Sequence, residues 1–441
     1  MNVIGFIFLA SLLCGYCYAA PWVKDDSWAV LIAGSNGWDN YRHQSDVSHA
    51  YHLLTHHGIQ PERIITIMYD DIANNENNPY PGKIFNRPNG TDVYAGVKID
   101  YRGNEIDNES VLNVLKGNAT GNKGKGTGRV LGSTRKEDVF IYYAGHGDVH
   151  VLLLLDGTLT KHELDNALTH MYENNMYNKM VFYLESCNSG SMFEGLDETR
   201  RLYAVTAANS MQSSFATFCI NDQKLPCLSD EFSATWMFNT ETHNILSETI
   251  GDQVDVAIEN TKQSHVCTFG DASIRNDTVS EYQGNAVVWK YTDFGITDQF
   301  HEDVQKSVKS THQILLDKVE QLLIDRNYSM KDVKDRMSDF YEDRQRLTRL
   351  VENIVHAVVG SVTKAYHIIM KKPALTTALE CHDAVIKAYH KKCIVSFNLN
   401  PYAITMSGIF ANLCEVVRDP AAILDVINEK CDTRPRFRGV I

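Results

Sequence analysis

The chain has 441 residues, enough for one large domain and a smaller one, and its 44% hydrophobic and 22% charged residues describe a folded protein, not a disordered one. A formal net charge of −13 excludes nucleic acid as the partner, since phosphate binding needs a basic face. Beyond the first 20 residues the sequence holds no stretch apolar enough to cross a bilayer as a helix, so no later membrane span is expected.

Residues 1–19 have an apolar core from Val3 to Leu13 and end on small residues, with Cys17 and Ala19 placed as for cleavage; they are expected to be a secretory signal peptide. The mature chain would then be lysosomal, endosomal or secreted. Five glycosylation acceptors, at Asn89, Asn108, Asn118, Asn276 and Asn327, agree with that compartment.

Trp28 to Ser35 is a continuous apolar run closed by Gly and Ser, followed by a stretch with Val47, Ala50, Tyr51 and Leu54 on one face, and Arg63 to Asp70 is apolar again. This is strand, helix, strand, and the crossover implies a parallel pair. Residues 71–97 and 117–132 read as surface loops. The string Gly121-Asn-Lys-Gly-Lys-Gly-Thr-Gly128 lacks the order of a phosphate-binding loop. Asp138 to Gly147 is a strand ending in Gly-His-Gly, Val151 to Leu155 is apolar, and Thr160-Lys-His-Glu163 is a capping box opening a helix. Two more strands follow, Lys179 onward and Arg201 to Ala208. Strands alternating with helices give a catalytic α/β domain over residues 20–292, a mostly parallel sheet flanked by helices. From Gln299 the chain is dense in charge with apolar residues at helical spacing, and everything to Ile427 reads as helix: a linker over 293–327 and an all-helical domain over 328–441. Cys381, Cys393, Cys414 and Cys431 form a local disulfide framework whose spacing leaves three connectivities open; Cys219 and Cys227 are a further candidate pair.

The chemistry lies at two strand ends. One delivers His146, the other Cys187 in Glu185-Ser-Cys-Asn-Ser-Gly190. A thiol holds its proton to roughly pH 8.5, so it needs a base, and a positioned His serves as base and then as acid toward the leaving amine. The backbone N–H groups of Gly147 and Cys187 are placed to stabilise an oxyanion. The pattern calls for neither a metal nor a cofactor.

Strand-His-Gly followed by strand-Glu-x-Cys-x-Ser-Gly resembles the caspase-like cysteine peptidases. Ala33-Gly-Ser-Asn-Gly-Trp-Asp-Asn-Tyr-Arg-His-Gln44, Met68-Tyr-Asp-Asp71, Asn86-Arg-Pro-Asn-Gly-Thr-Asp-Val-Tyr94, Glu185-Ser-Cys-Asn-Ser-Gly-Ser-Met192 and Thr206-Ala-Ala-Asn209 resemble the legumain family of asparaginyl endopeptidases from Trp28 to the C-terminus. The resemblance implies a caspase-like fold with a C-terminal death-domain-like prodomain that covers the active site. It implies Cys187 as nucleophile, His146 as acid and base, Asn40 as the residue orienting His146, and a pocket of Arg42, His43, Glu185, Ser213 and Asp230 that selects Asn. It also implies Cys381–Cys414 and Cys393–Cys431 disulfides, protein and peptide substrates, the chain's own prodomain as inhibitor, and cystatin-type inhibitors as partners. The chain departs from the family at Gly145, where Asp is usual, at Asp148-Val-His150, where small residues are usual, and at Asn188, where Glu is common.

The expected activity is hydrolysis after Asn, and after Asp in acid, through an acyl-thioester, by a zymogen activated at acidic pH. Carboxylates between His301 and Arg349, paired with the catalytic domain at neutral pH, are the expected acid sensors. Asn327 aligns with the family's maturation position, with Asp298, Asp303 and Asp325 as alternatives. Two other readings remain: a peptide ligase using the same thioester, and an impaired homologue acting as a binding module.

Overall fold

The computed structural model describes residues 27–155, 157–286, 300–314, 329–373, 376–397, 400–432 and Phe437. The expected signal peptide, Asn327, Asp298 and Asp325 lie outside the described residues.

In chain order the α/β part contains β1 (Ser27–Ala33), α1 (Tyr41–His56), β2 (Ile64–Ile67), α2 (Asn108–Leu115), β3 (Asp138–Ala144), then β4 (Gly147–Asp148), β5 (Val151–Leu154) and β6 (Gly157–Thr160), α3 (Lys161–Glu173) and β7 (Met180–Glu185). It continues with β8 (Leu202–Thr206), β9 (Phe215–Thr217), β10 (Ser229–Asp230), α4 (Glu231–Thr242), α5 (Ile250–Asn260), β11 (Cys267–Gly270) and α6 (Ser280–Gln283). The main sheet has the order β11-β8-β7-β3-β1-β2, parallel throughout except for the antiparallel edge strand β11. β3 and β7 are buried at every position, which explains why they read as unbroken apolar runs and not as alternating ones. Helices α1, α4 and α5 cover one face around Trp236, whose ring meets Phe140, Tyr142 and Tyr183 edge to face. Helices α2 and α3 cover the other face through Val111, Val114, Leu164, Leu168 and Met171.

The register fixes where the site forms. Ala33 stands opposite Ala144, and Ala144 opposite Glu185, so β1, β3 and β7 end on one level. The loops that follow them meet outside the carboxyl ends of neighbouring parallel strands, where α/β folds place ligands. The Tyr143 hydroxyl lies 2.6 Å from the Leu153 carbonyl and 2.9 Å from that of His146, tying the end of β3 to β5. A Cβ on Gly145 would sit 2.5 Å from that hydroxyl, so at this position glycine gives Tyr143 its room.

After α7 (Phe300–Lys306) the chain forms a strand where helix was expected: β12 (Lys309–Ser310) pairs antiparallel with β9. The cause is tertiary, because β9 offers an edge whose backbone groups need a partner. The C-terminal domain is α8 (Met330–Val359), α9 (Val362–Met370), α10 (Leu379–Cys393), α11 (Ser407–Val417) and α12 (Pro420–Asp432). Disulfides Cys381–Cys414 and Cys393–Cys431 join α10 to α11 and to α12, and Cys219–Cys227 closes a loop in the α/β part. The core of the helical domain takes in Val151 and Leu153 of β5, so the two domains share apolar packing.

Two described carboxylates of the charge run pair locally. Asp303 pairs with Lys306 and Asp343 with Arg346, each within its own helix. Among the described residues, α10 contributes ionic groups that cross: Asp383 accepts from Thr160, 2.6 Å away, and Lys387 pairs with Glu163. Periodicity gives a helix's exposed face but not which neighbour will meet it.

Candidate active site

The apolar strand β7 stops at Glu185, and Ser186 and Cys187 lead into a single 3-10 turn, Ser189–Met192. Between them Asn188 has φ 52°, a left-handed conformation that Asn tolerates and most residues avoid. Its backbone N–H donates to Gln212 O (2.7 Å) and its side-chain amide to Ser210 O (2.9 Å), which holds the turn. Cys187 is thereby fixed and buried.

The thiol has several neighbours. The Ser214 backbone N–H donates to Sγ at 3.3 Å, and Ser213 Oγ lies 3.2 Å away. Ser213 also meets Ser310 Oγ at 3.0 Å, so the structure places it beside the nucleophile, between thiol and linker. The cation beside Cys187 is His312, a residue exposed overall, which hydrogen-bonds the thiol. Burial pushes the Cys187 thiol up, but the His312 imidazolium and the hydrogen bonds outweigh it and pull it down to about 7. Reciprocally, the thiolate raises His312 to about 9, and Asp148 adds to this. Asp148 is itself raised to about 6 by burial, against the pull of His312.

His146 follows β3. Its Nε2 lies 2.8 Å from Asn40 Oδ1, and the Asn40 amide donates to Asn36 O at 2.9 Å. Because Oδ1 can only accept, Nε2 carries the proton and Nδ1 is the basic nitrogen. Burial, then Arg42 and His312, hold His146 well below the usual histidine range, so it is neutral. A Cβ on Gly147 would stand 2.9 Å from Ser186 Oγ and 3.1 Å from Cys187 O; only glycine lets β4 lie that close to the nucleophile turn.

The third cluster is a buried pocket of charge. Arg42 Nε donates to Asp230 Oδ1 at 2.8 Å, and His43 bridges Ser35 Oγ (2.6 Å) and Asp230 Oδ2 (3.5 Å). Glu185 Oε2 accepts from the Ser233 N–H (3.0 Å) and hydroxyl (2.9 Å). Asp46, one helical turn after Arg42, accepts from Ser229, Asn86 and the Asp230 N–H. Burial and mutual repulsion raise Asp46 and Glu185 well above the carboxylate range; burial also raises Asp230, with Arg42 opposing. Three atoms in this pocket, Arg42 Nη2, Glu185 Oε1 and Asp230 Oδ2, are buried without a hydrogen-bond partner among the described residues. Such an arrangement is costly unless something completes it.

Residues 27–285 match the model of the peptidase C13 family, and residues 335–431 match the legumain prodomain. The chain belongs to the peptidase C13 family. It is 36% identical to legumain of Rattus norvegicus over 394 residues, 88% of each chain, and 44% identical to hemoglobinase of Schistosoma japonicum over 286 residues, 64% of this chain and 66% of the other. Caspase-1 of Spodoptera frugiperda aligns at TM-score 0.34 and 8% identity, covering 56% of this chain and 87% of that one. The C13 enzymes are cysteine endopeptidases that act on proteins, and this one carries its own C-terminal prodomain.

In this C13 peptidase the structure brings Arg42, His43, Glu185 and Asp230 together, and His146 with Asn40, while Ser213 serves the thiol and the linker. Sequence reasoning missed Asp46, Ser233, Ser214 and His312. Asp46 had a signal, four residues after Arg42 on one helix; His312 had none, since it reaches the site only through β12.

Of the glycosylation acceptors, Asn89, Asn118 and Asn276 are exposed. Asn108 differs: its amide nitrogen donates to Glu163 Oε1 at 2.6 Å, and Ser110 of its acceptor motif is buried in the cap of α2. A glycan there would have to displace both.

Proposed function

We propose that this peptidase cleaves after Asn, and after protonated Asp, and is made as a zymogen that acid activates. The observation that carries this is two of those incomplete atoms, Arg42 Nη2 as donor and Glu185 Oε1, which accepts once a substrate NH₂ offsets the burial that raises its carboxyl. A carboxamide offers a C=O to the one and an NH₂ to the other, and a protonated carboxylic acid presents the same two ends. A side chain lacking either end leaves a charge buried and unpaired, which is how a closed polar site rejects analogues by factors of 10⁴ or so.

With substrate seated, His146 Nδ1 takes the Cys187 proton, the thiolate attacks the carbonyl, and the oxyanion forms near the Gly147 and Cys187 N–H groups. The imidazolium then protonates the leaving amine, and water, activated by the same His, releases the acyl group. Asn40 keeps the tautomer fixed throughout. In the zymogen β12 lies on β9, His312 sits on Cys187, and substrate has no access. The signal peptide, the exposed acceptors and the disulfides fit a lysosomal or secreted enzyme, which cystatin-type inhibitors would reach.

The test is hydrolysis of an Ala-Ala-Asn reporter at about pH 5.5 after acid treatment. Activity that vanishes in Cys187→Ala supports the reading. Activity persisting in that variant, or equal cleavage after Gln, sinks it.

A further inference from the structure

The prodomain docks on the catalytic domain through a contact that the active site does not use. His150, on the catalytic side, and His382, on α10, are each 1% exposed, and their rings meet edge to face with centroids 5.8 Å apart. The contact is built on both sides. His150 has φ 61°, a strained conformation for this residue, and its backbone N–H and Nδ1 are held by Ser191 Oγ (2.8 Å) and Ser191 O (2.9 Å). His382 Nε2 lies 2.9 Å from Ser407 Oγ, whose hydroxyl donates to Val149 O at 2.7 Å. Because that hydroxyl's proton is spent on Val149, Nε2 of His382 must donate, and Nδ1 is where a second proton would go. Because the Ser191 carbonyl can only accept, His150 Nδ1 carries its proton and Nε2 is the basic atom.

We propose that His150 and His382 form a proton-operated release for the prodomain: docking needs both rings neutral, and acid drives the domains apart by charging them. This rests on the zymogen reading above. Burial, then the His150 ring, holds His382 down to about 3 while docked; once undocked it returns to its ordinary value near 6.5. The undocked state therefore binds more protons, so docking is full above about pH 6.5 and weakens as pH falls from there toward 3.

The charged groups around the pair come from α3 (Lys161, Glu163, Asp165), from α10 itself (Asp383, Lys387) and from β4 (Asp148). The carboxylates are engaged elsewhere: Glu163 and Asp383 with Lys387, Asp165 with Lys161, and Asp148 with the Val149 N–H. Asp148, raised to about 6 by burial, titrates in the same range, so the two histidine substitutions are what separate the imidazoles from it. His382 alone weakens docking about fivefold from pH 6.5 to 5.5 and about 50-fold by pH 4.5.

The experiment uses the full chain in a Cys187→Ala background, with docking read by hydrogen exchange of α10 between pH 7.5 and 4. We expect protection to fall steeply below pH 6.5. His382→Gln, which can still donate to Ser407, and His150→Asn, which tolerates the backbone angle, should each keep α10 protected at pH 7.5 and move the loss down by about one unit. Midpoints unchanged in both variants overturn the proposal. Should either substitution abolish docking at neutral pH, the unsubstituted rings still decide: docking that changes less than threefold between pH 6.5 and 5.5 overturns it. Reporter hydrolysis by the Cys187 enzyme is measured separately. Its absence would defeat the proposed activity and leave the release intact.

Discussion

At the scale of the residue, the proposed selectivity for Asn would turn on Glu185. Ser233 donates twice to Oε2, so in Glu185→Gln the amide oxygen must take that place and Nε2 must point into the pocket. A donor then meets the substrate's NH₂. Cleavage after Asn should drop at least 100-fold in kcat/KM, while ionised Asp, which can accept, should gain relative to Asn at neutral pH. Paired reporters differing only in Asn and Asp measure the ratio; an unchanged ratio removes Glu185 from the selecting group. His312 offers a second test. The thiol is near 7 because of this cation, and burial alone pushes it up, so in His312→Ala the apparent pKa of alkylation in the zymogen should rise above 7 by more than a unit. The thiolate–imidazolium pair holds between about pH 7 and 9; it is lost below that range as Cys187 protonates and above it as His312 deprotonates. An unchanged alkylation profile would place the ring away from the sulfur.

At the scale of the element, the sheet was legible and its additions were not. β1, β3 and β7 announce themselves as apolar runs because both faces are covered, and the stop at Gly-His-Gly and Glu-Ser-Cys marks the carboxyl ends that carry chemistry. The capping box at Thr160 and Glu163 formed as its residues require. β12 was not legible, because two residues of a charged stretch become a strand only through the free edge of β9. The same distinction explains the pocket: Arg42 and Asp230 are 188 positions apart, and only a family resemblance could pair them. Gly145 shows a local departure with a packing cause. Gly145→Ala forces Tyr143 off its hydrogen bonds to Leu153 and His146 and should cost about 1–3 kcal/mol of stability, with reduced turnover because His146 is the next residue. Adding Tyr143→Phe should be less than additive, since the hydroxyl that clashes is then gone. Thermal melts of the two single variants and the double check the sign of the coupling.

At the scale of the whole molecule, the proposed zymogen would be held silent by two devices that respond to different agents. β12 and His312 occupy the cleft, while α10 anchors the helical domain to β5, α3 and His150. Both of α10's disulfides lie on that domain's side, with sequence separations of 33 and 38 residues. Closing loops of that length restricts the unfolded chain by about 3 to 4 kcal/mol each, which is a large share of the stability of a helical domain of this size. Reduction should therefore loosen the prodomain at neutral pH, where the histidines are uncharged and favour docking. The expected sequence is loss of α10 protection first, then reaction of Cys187 with an Asn-directed electrophile, with the α/β domain still folded around its own core. Intact mass after differential alkylation follows the order of the thiols. Cys187 reacting while all four prodomain cysteines remain bridged would show that the cleft opens without the helical domain letting go, and that the two devices are not arranged in series.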